Sequence, residues 1–172
     1  ALTRQLLAFA RKQTISPEPL NLNDAIEGIL KMLRRLIGEN IELGWLPGKD
    51  LWRVKMDPTQ VDQMLANLTV NSRDAIPDVG KVMISTENRT IGKADLNGNK
   101  EFRPGNFVVL AVSDTGTGMT PETMTHIFEP FYTTKKEGEG TGLGLSIVYG
   151  IIKQNNGHIA VESELGKGSV FS

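Results

Sequence analysis

The spacing of apolar residues alternates between a helical period and a strand period along the chain. Apolar positions recur every three or four residues in five segments, which predicts helices over about residues 2–13, 23–37, 58–76, 121–128 and 145–155. Alternating or continuous apolar runs predict strands at about residues 41–45, 52–56, 81–87, 107–112, 159–161 and 170–171. Hairpin turns exclude a purely parallel sheet. The pattern therefore predicts a two-layer α+β or α/β sandwich, with helices on one face of a mixed sheet.

Local signals mark where the elements begin and end. Asn23 is the expected N-cap of the second helix, and Asp57-Pro58 opens the third with an acidic cap and a proline at the first helical position. The polar residues 90–105 predict a long hairpin loop. The continuous apolar run 107–112 predicts a buried central strand.

The two ends of the chain predict its division into parts. Residues 1–15 are predicted to form one short amphipathic helix that Ser16-Pro17-Glu18-Pro19 stops, which predicts a linker over 16–20 and a domain over 20–172. The helix is equally well a simple cap or the stump of a longer helix. The chain begins without methionine and so reads as a fragment, and its last strand is expected to be cut short.

Composition excludes several classes of protein. The 172 residues suffice for one good core, and 19 basic against 20 acidic residues leave a net charge of −1, which argues against a nucleic-acid surface. Without cysteine there are no disulfides or thiolate zinc sites, and the compartment is compatible with the cytosol. No apolar run approaches the roughly 20 residues of a membrane span, and no signal peptide is visible.

The third helix carries a narrow polar strip beside its apolar strip. Gln63, Asn67, Asn71 and Asp74 fall within about 80° of one another on a helical projection. Asp62 and Arg73 fall on the face expected to be exposed. An amide oxygen is a neutral ligand, suited to a magnesium ion that phosphates already neutralise. The alternative is that these are ordinary boundary positions between core and solvent.

Asp114 follows the predicted central strand and precedes Gly116 and Gly118. A carboxylate at the end of a strand can accept a hydrogen bond from an exocyclic amine such as adenine N6, and glycines let the backbone approach a planar ring. The alternative is a simple turn in which the aspartate bonds its own backbone.

Residues 129–146 combine charge, hydroxyls and alternating glycines, and lead directly into the apolar helix. Backbone N–H groups in such a segment can close around an anion at the helix start. The spacing of Gly140, Gly142 and Gly144 fits neither a Rossmann fingerprint nor a P-loop. Lys135 and Lys136 lie just before these glycines and could reach phosphate oxygens, or they are only solvated charges.

Four motifs together resemble one family. Asn67-Leu-Thr-Val-Asn71-Ser-Arg-Asp-Ala75 resembles its N box, and Asp114-Thr-Gly-Thr-Gly118-Met its first glycine box. Ile127-Phe-Glu-Pro-Phe-Tyr-Thr-Thr-Lys135 resembles its F box, and Gly140-Thr-Gly-Leu-Gly-Leu-Ser146 its second glycine box. The family is the catalytic, ATP-binding domain of sensor histidine kinases, within the ATPase superfamily shared with gyrase, Hsp90 and MutL. The motif sequences Asn71-Ser-Arg-Asp-Ala75 and Phe131-Tyr-Thr-Thr-Lys135 are most similar to those of the nitrogen-regulation-type and related PAS-linked kinases.

The resemblance implies a mixed, mostly antiparallel five-stranded sheet covered on one face by three helices, with ATP between the helices and a lid over residues 119–141. It implies that Asn71 ligates Mg²⁺, that Asn67 and Lys135 act with it near the phosphates, and that Asp114 reads adenine N6. Asp74 is expected near the ribose or a water. The implied ATP-binding residues are Asn67, Asn71, Asp74, Asp114, Gly116, Gly118, Met119, Phe131, Thr133, Thr134, Lys135, Gly140, Thr141, Gly142, Leu143, Gly144 and Leu145.

The resemblance also implies the reaction and the partners. The position where hydrolysing superfamily members carry a catalytic glutamate holds Gln63, which cannot accept a proton. Transfer of the γ-phosphoryl group to a histidine is therefore expected, with a hydrolysing ATPase or a non-catalytic nucleotide-binding module as alternatives. Neither His126 nor His158 is followed by the acidic residue and the asparagine or proline that surround the family's acceptor, so the acceptor is expected on a separate dimerisation domain. Residues 1–15 resemble the C-terminal end of that domain's helix hairpin, so the acceptor is expected upstream and no autophosphorylation is expected of this chain alone. The chain is expected to be a cytoplasmic kinase fragment, compatible with a monomer, of a homodimer that serves a response regulator.

Overall fold

The computed structural model describes residues 14–172, so the predicted helix over residues 2–13 lies outside the described residues. The helices are α1 (Leu22–Ile37), α2 (Pro58–Ala75), α3 (Pro121–His126) and α4 (Gly144–Gln154), with a 3₁₀ turn at Lys93–Leu96. The strands are β1 (Glu18–Leu20), β2 (Ile41–Leu46), β3 (Val54–Met56), β4 (Gly80–Ile91), β5 (Gly105–Asp114), β6 (Val161–Glu164) and β7 (Gly168–Phe171).

Five of the strands form one mixed sheet in the order β2-β4-β5-β7-β6. β2 runs parallel to β4, and the other three neighbouring pairs are antiparallel. The predicted five-stranded, mostly antiparallel sheet is therefore confirmed. β4 and β5 form its long central ladder of ten residue pairs, and that ladder carries Asp114 at one end.

The helices α1, α2 and α4 bury one face of this sheet. α2 lies between α1 and α4, and the side chains from all three helices join those of the sheet in one apolar cluster. Burying one apolar side chain of this size contributes about 1.5–3 kcal/mol, so this cluster is a main source of stability. Its fully buried members are Ile26, Leu33, Val61, Leu65, Val82, Ile84, Val112, Val148 and Phe171.

A second, two-stranded sheet was not predicted. β1 pairs antiparallel with β3, so residues 18–20 of the predicted linker form a strand, and the predicted strand over 52–56 lies outside the main sheet. Pro19 is tolerated because β1 is an edge strand. This pairing ties the entry of the described chain to the residue range just before α2.

The N-cap of α1 is Asn21 and not Asn23. The Asn21 side chain accepts a hydrogen bond of 2.9 Å from the Asn23 N–H. The Asn23 side chain instead donates to the Gly48 carbonyl at 2.9 Å and accepts from the Thr86 hydroxyl at 2.6 Å. The long-range contacts of Asn23 occupy its side chain, so Asn21 serves as the N-cap. The local sequence could not reveal these contacts.

The strand β5 is central, as predicted, but it is only partly buried. Val112 and Asp114 are buried, and most of the other residues of β5 are half-buried. The cause is that the helices cover one face of the strand. The ladder with β4 continues beyond the predicted strand ends, so the connecting loop is shorter than residues 90–105. The strand β7 pairs with both β5 and β6.

His158 packs where the β4–β5 loop meets the sheet. Its ring stacks on Phe102 with 4.5 Å between centroids, contacts Phe107 edge-on at 5.8 Å, and its Nδ1 has no hydrogen-bond partner among residues 14–172. Burial lowers the pKa of His158 below 6.5, and the charges of Lys153 and Arg103 lower it further against the opposing charge of Glu101.

We therefore expect His158 to make stability fall in acid. A histidine with a lowered folded-state pKa stabilises the fold fully above the unfolded-state value of 6.5, and this contribution is lost as the pH falls through the folded-state pKa. Urea denaturation at pH 7.5 and pH 5.5 should show a larger loss for the wild type than for His158→Phe. Equal losses in the two proteins would contradict this assignment.

Candidate functional site

Asp114 ends β5 as a buried carboxylate with one oxygen bonded and one oxygen unpaired. Its Oδ1 accepts a hydrogen bond of 2.9 Å from the Gly116 N–H, which is the turn that the sequence offered as the alternative to a binding role. Its Oδ2 is buried and has no partner within the described chain. An unsatisfied buried acceptor costs about 1–3 kcal/mol. The turn thus occupies one oxygen and leaves the other for a donor.

The electrostatic state of Asp114 follows from this burial. Burial raises the pKa of the Asp114 carboxyl, and the Gly116 N–H opposes this rise through its hydrogen bond. The Ser72 hydroxyl and the Ser169 N–H oppose the rise from nearby, without meeting the geometry of a hydrogen bond to Oδ2. The Ser72 hydroxyl is itself buried without a partner in the part of the chain that the structure describes. Asp114 therefore lies close to Ser72 of α2, the residue that follows Asn71. Both side chains have incomplete hydrogen bonding.

The glycines after Asp114 are required by protein packing. A Cβ at Gly116 would lie 2.6 Å from the Ala75 carbonyl oxygen, and the Thr117 N–H donates to that same oxygen at 2.9 Å. Gly118 has φ +70°, and a Cβ there would lie 2.0 Å from the Glu164 carbonyl oxygen. The loop after Asp114 thus packs directly against the end of α2 at Gly116 and against the end of β6 at Gly118. Whether these glycines also line a planar ring stays a prediction.

The polar strip of α2 faces the start of α4. Asn67 donates from Nδ2 to the Gln63 carbonyl at 3.0 Å, and its Oδ1 lies 3.5 Å from the place that a Cβ on Gly144 would take. Asn71, one turn further along the strip, is half-buried. The two motifs around Asn67 and Gly144, which are far apart in sequence, therefore meet at one place.

The face of α2 that was predicted to be exposed is in fact half-buried. Arg73 donates from Nη1 to the Leu36 carbonyl at 3.0 Å, which satisfies a carbonyl in the last turn of α1. Asp62 is also half-buried, and burial raises the pKa of its carboxyl. The prediction of a fully exposed outer face was therefore only partly correct: the Arg73 side chain is 41% exposed, but its contact with α1 is one that a single helix projection does not include.

The first part of the predicted lid is anchored at both ends of α3. The Met119 N–H donates to the Ser163 hydroxyl at 2.8 Å, and Thr120 caps α3 by accepting from the Thr123 N–H. Beyond α3, Phe128 lies tilted against Tyr149 of α4 with 5.5 Å between ring centroids. This end of the lid is therefore packed onto the domain, and sequence reasoning did not assign Tyr149 to it.

The two histidines have structural surroundings. His126 pairs through Nδ1 with Glu129 at 2.9 Å, and its ring lies 5.5 Å from that of Tyr132. His158 lies in the aromatic cluster described above. The expectation that neither is a phosphate acceptor stays a prediction.

The second part of the lid folds back on itself at Phe131 and Gly142. Phe131 has φ +68° and is 50% exposed, and its N–H donates to the Gly142 carbonyl at 2.9 Å. Gly142 also has φ +68°, and a Cβ there would lie 2.3 Å from the Phe131 carbonyl carbon. Thr141 accepts from the Leu143 N–H at 3.2 Å, and Leu143 is buried. This contact between Phe131 and Gly142, which we call the joint, fixes the path of the backbone from the lid into α4.

Other lid residues show fewer contacts. Lys135 donates from its backbone N–H to the Thr133 hydroxyl at 3.1 Å, and its stem passes beside Gly140. Thr134 is exposed, and Leu145 is half-buried against the core. The predicted phosphate contacts of all these residues stay predictions.

Two predicted site residues form an ion pair. The Lys135 ammonium pairs with Asp74 Oδ2, while Asp74 Oδ1 pairs with Arg73 at 3.2 Å. The sequence placed Lys135 at the phosphates and Asp74 at the ribose or a water, and it did not join the two. The structure therefore connects the lid to α2 through a contact between residues 61 positions apart.

Within residues 14–172, no group of three or more histidine, cysteine or acidic side chains could hold a metal ion. No helix of the described residues is long and apolar enough to cross a membrane.

The family follows from the comparisons. Residues 56–172 match the model of the histidine kinase-, DNA gyrase B- and HSP90-like ATPases, which covers more than half of the chain and all four motifs. The chain belongs to this family. The resemblance inferred from the N, F and two glycine boxes is confirmed.

Similar curated proteins are sensor kinases. The chain is 48% identical over 171 residues to the sensor kinase CckA of Brucella abortus, covering 99% of this chain and 18% of that protein. It is 31% identical over 169 residues to the sensor histidine kinase ZraS of Salmonella typhimurium, covering 98% of this chain and 33% of that protein. The chain therefore spans between about a fifth and a third of these relatives.

A solved structure shares the fold. Full-length ShkA in complex with AMPPNP superposes with a TM-score of 0.76 and 26% identity, covering 99% of this chain and 34% of that chain. The catalytic domain of the histidine kinase ThkA superposes with a TM-score of 0.65 and 29% identity, covering 91% of this chain and 92% of that chain. This ATPase domain therefore has the mixed sheet and helical layer of a histidine kinase catalytic domain, as the resemblance predicted.

Two further buried polar side chains of α2 were not assigned to the site from the sequence. Ser72 and Thr69 of α2 carry buried hydroxyls without partners in the described part of the chain. Both lie on the buried side of α2. Their signal in the sequence was a hydroxyl on the otherwise apolar strip of the helix, since such groups must find a partner.

Proposed function

We propose that this ATPase domain binds Mg²⁺·ATP and donates the γ-phosphoryl group to a histidine on a separate dimerisation domain in two-component signalling. The observation that carries the proposal is the unpaired, buried Oδ2 of Asp114. Such an atom matches the hydrogen-bond donor of an adenine amine and would be unfavourable without one. The complex of ShkA with AMPPNP, an ATP analogue, supports the same choice of ligand.

The residues present fit the magnesium that this function implies. Asn71 lies on the half-buried polar strip of α2, one turn from Asn67, and its amide oxygen is a neutral ligand for a hard cation. With phosphates as the other ligands, one protein amide oxygen suffices. When bound, Mg²⁺ neutralises charge on the transferring phosphoryl group.

The chain's own residues bind and orient the nucleotide. Asp114 accepts the adenine amine, which favours adenine over guanine because guanine presents an oxygen at that position. Asn67 and Asn71 lie along the phosphates, and the backbone N–H groups at the start of α4 complete the anion site. Lys135 supplies a cation from the lid. Together these groups hold the γ-phosphoryl group in line for an incoming imidazole.

Transfer is favoured over hydrolysis because the sequence position that carries a water-activating glutamate in hydrolysing members of the superfamily has no carboxylate here. That position holds Gln63, and Asp62 beside it projects away from the polar strip. A hydrolysing ATPase remains the second candidate function within this family. It would release phosphate steadily from the isolated chain, and we expect that release to be negligible.

The partners follow from the same proposal. The acceptor histidine belongs to a dimerisation domain of the same kinase, and the phosphoryl group then passes to a response regulator. We propose a homodimeric, cytoplasmically active kinase in which this domain acts as the ATP-binding part. The names of CckA and ZraS as sensor kinases support this assignment.

Calorimetric titration with Mg²⁺·ATP tests the nucleotide site. The wild-type chain should bind ATP, whereas Asn71→Ala and Asp114→Ala should each weaken binding by about 10-fold or more, the size of a lost charge-assisted contact. GTP should compete poorly with ATP. Absence of wild-type binding into the millimolar range would refute the proposal, and so would two variants that bind as the wild type does.

Addition of a separately prepared dimerisation domain tests the reaction. With radiolabelled ATP, phosphate should appear on the histidine of that domain and not on the isolated chain. If ATP binds and the added domain gains no phosphate, a non-catalytic nucleotide-binding module becomes the better assignment.

A further inference from the structure

Asp74 lies between two cations, and each of its carboxylate oxygens contacts a different one. Oδ1 accepts hydrogen bonds from Arg73 Nε and Nη2, both at 3.2 Å, and Oδ2 accepts one from Lys135 Nζ. Arg73 is held in turn by the Leu36 carbonyl, 3.0 Å from its Nη1. A continuous chain of contacts thus runs from the last turn of α1, across the end of α2, to the lid.

Lys135 is specifically placed for this contact, and its neighbour is not. The side chain of Lys135 passes beside Gly140, where a Cβ would lie 2.8 Å from Lys135 Cδ. Lys136, the next residue, is exposed and forms no ion pair with any residue from 14 to 172. Only one of the two adjacent lysines is therefore bound to α2.

The ion pair means that Asp74 and a phosphate ligand would compete for the same Lys135 ammonium group. An ammonium group engaged by a carboxylate has less capacity for a second anion, because part of its charge and one of its three donors are already used. The group of Arg73, Asp74 and Lys135 carries a net charge of +1, and without the carboxylate it would carry +2. Asp74 thus lowers the local attraction for anions at the place where the lid meets α2.

We propose that Asp74 is a positioning residue that competes with the phosphates of the bound nucleotide for Lys135. This inference rests on the proposed function, since it requires that Lys135 face the phosphates when ATP binds. In the pair with Asp74, Lys135 holds the lid on α2. When polyphosphate displaces the carboxylate, Lys135 passes from a contact within the protein to a contact with the ligand. Docking of the lid then depends on the phosphates and not on the adenine.

A double-mutant cycle tests this competition. Asp74→Asn keeps the shape of the side chain and removes its charge, and it should raise Mg²⁺·ATP affinity by about two- to five-fold, the range for an exposed ion pair. In a Lys135→Ala background the same substitution should change affinity by less than half of that. In a Lys136→Ala background, which is the matched control, the full gain should remain.

Adenosine provides a second readout that a merely structural role would not move. Adenosine has no phosphates, so its affinity should be the same in the wild type and in Asp74→Asn. Thermal denaturation of each variant verifies that it folds, and Asp74→Ser should reproduce the gain if asparagine introduces contacts of its own.

The outcomes separate this inference from the proposed function. A wild-type chain that binds no ATP refutes the proposed function. A wild type that binds ATP, with Asp74→Asn binding equally or more weakly, leaves that function intact and overturns the competition. Weaker binding would indicate a direct contact of Asp74 with the nucleotide. A gain that persists in full without Lys135 would also overturn the inference, because it would assign the effect to Arg73.

Discussion

Replacing Asp114 by asparagine should stabilise the free domain and weaken its binding of ATP. Burial raises the pKa of the Asp114 carboxyl, so the charged form is disfavoured in the folded state. Asparagine removes this charge, keeps an oxygen for the Gly116 N–H, and places an amide near the Ser72 hydroxyl, which has no partner in the described part of the chain. The gain should be about 1 kcal/mol, at the lower end of the range for an unsatisfied buried group.

The same substitution presents a donor where adenine N6 also presents one, so ATP affinity should fall by at least about 10-fold. A gain of about 1 kcal/mol corresponds to roughly 2–4 °C in melting temperature for a domain of this size. Thermal denaturation and calorimetric titration of one preparation measure both effects. Opposite changes in stability and binding are expected of a residue kept for a ligand.

The pH dependence gives a further check on Asp114. A carboxyl whose folded-state pKa is raised contributes stability below its unfolded-state value of 3.8, and this contribution is lost as the pH rises through the folded-state pKa. Asp114→Asn should therefore gain most in stability above that pH. The matched control is Asp62→Asn, because burial also raises the pKa of Asp62 but the residue lies off the polar strip. This variant should leave ATP binding unchanged, and equal losses of binding in the two variants would contradict the adenine assignment.

Replacing Gly142 by alanine should uncouple the lid from α4. The substitution forces a side chain into a backbone conformation with φ +68° and places its Cβ 2.3 Å from the Phe131 carbonyl carbon. We expect ATP affinity to fall by about 10-fold or more, because a lid that cannot reach its position loses contacts that depend on precise placement. The melting temperature should also fall, by roughly 2–8 °C, because the left-handed backbone strain of about 1–2 kcal/mol applies to this substitution as well.

Gly138→Ala is the matched control for this prediction. Gly138 has φ +88°, and a Cβ there would meet no atom of the described chain within 4 Å. Alanine at this position therefore introduces the backbone strain of about 1–2 kcal/mol without the clash. Titration of both variants isolates the effect of the contact with Phe131. Equal effects of the two substitutions would show that strain alone is responsible, and would remove the joint from the account of the lid.

Much of the fold was predictable because local signals agreed with the tertiary structure. Asp57 caps α2 and Pro58 opens it, as predicted, and Gly38 ends α1. These positions depend on backbone conformation and capping, which the nearest residues determine. Asn23 was misassigned because its partners, Gly48 and Thr86, lie 25 and 63 positions away. No local pattern contains that information.

The proposed nucleotide site shows the same division between local and long-range information. The strip of Asn67 and Asn71 follows from the helical period alone, and Asp114 follows from its place at the end of an apolar strand. The contact between Asn67 and Gly144, and the ion pair between Asp74 and Lys135, required the packing of α2 against α4 and the lid. Helix projection could not show that the Arg73 guanidinium has a hydrogen-bond partner, because that partner is a carbonyl of α1.

By itself the sequence determined the types and order of most elements and the family to which the domain belongs, and it named the side chains that we propose contact a base, a metal and a phosphate. Those properties depend on periodicity, capping and motif spacing, all of which are local. Only the tertiary structure decided which oxygen of Asp114 stays unpaired, which lysine is held by α2, and why Gly142 tolerates no side chain. Each of these depends on distances between segments remote in sequence, where packing and burial set the geometry.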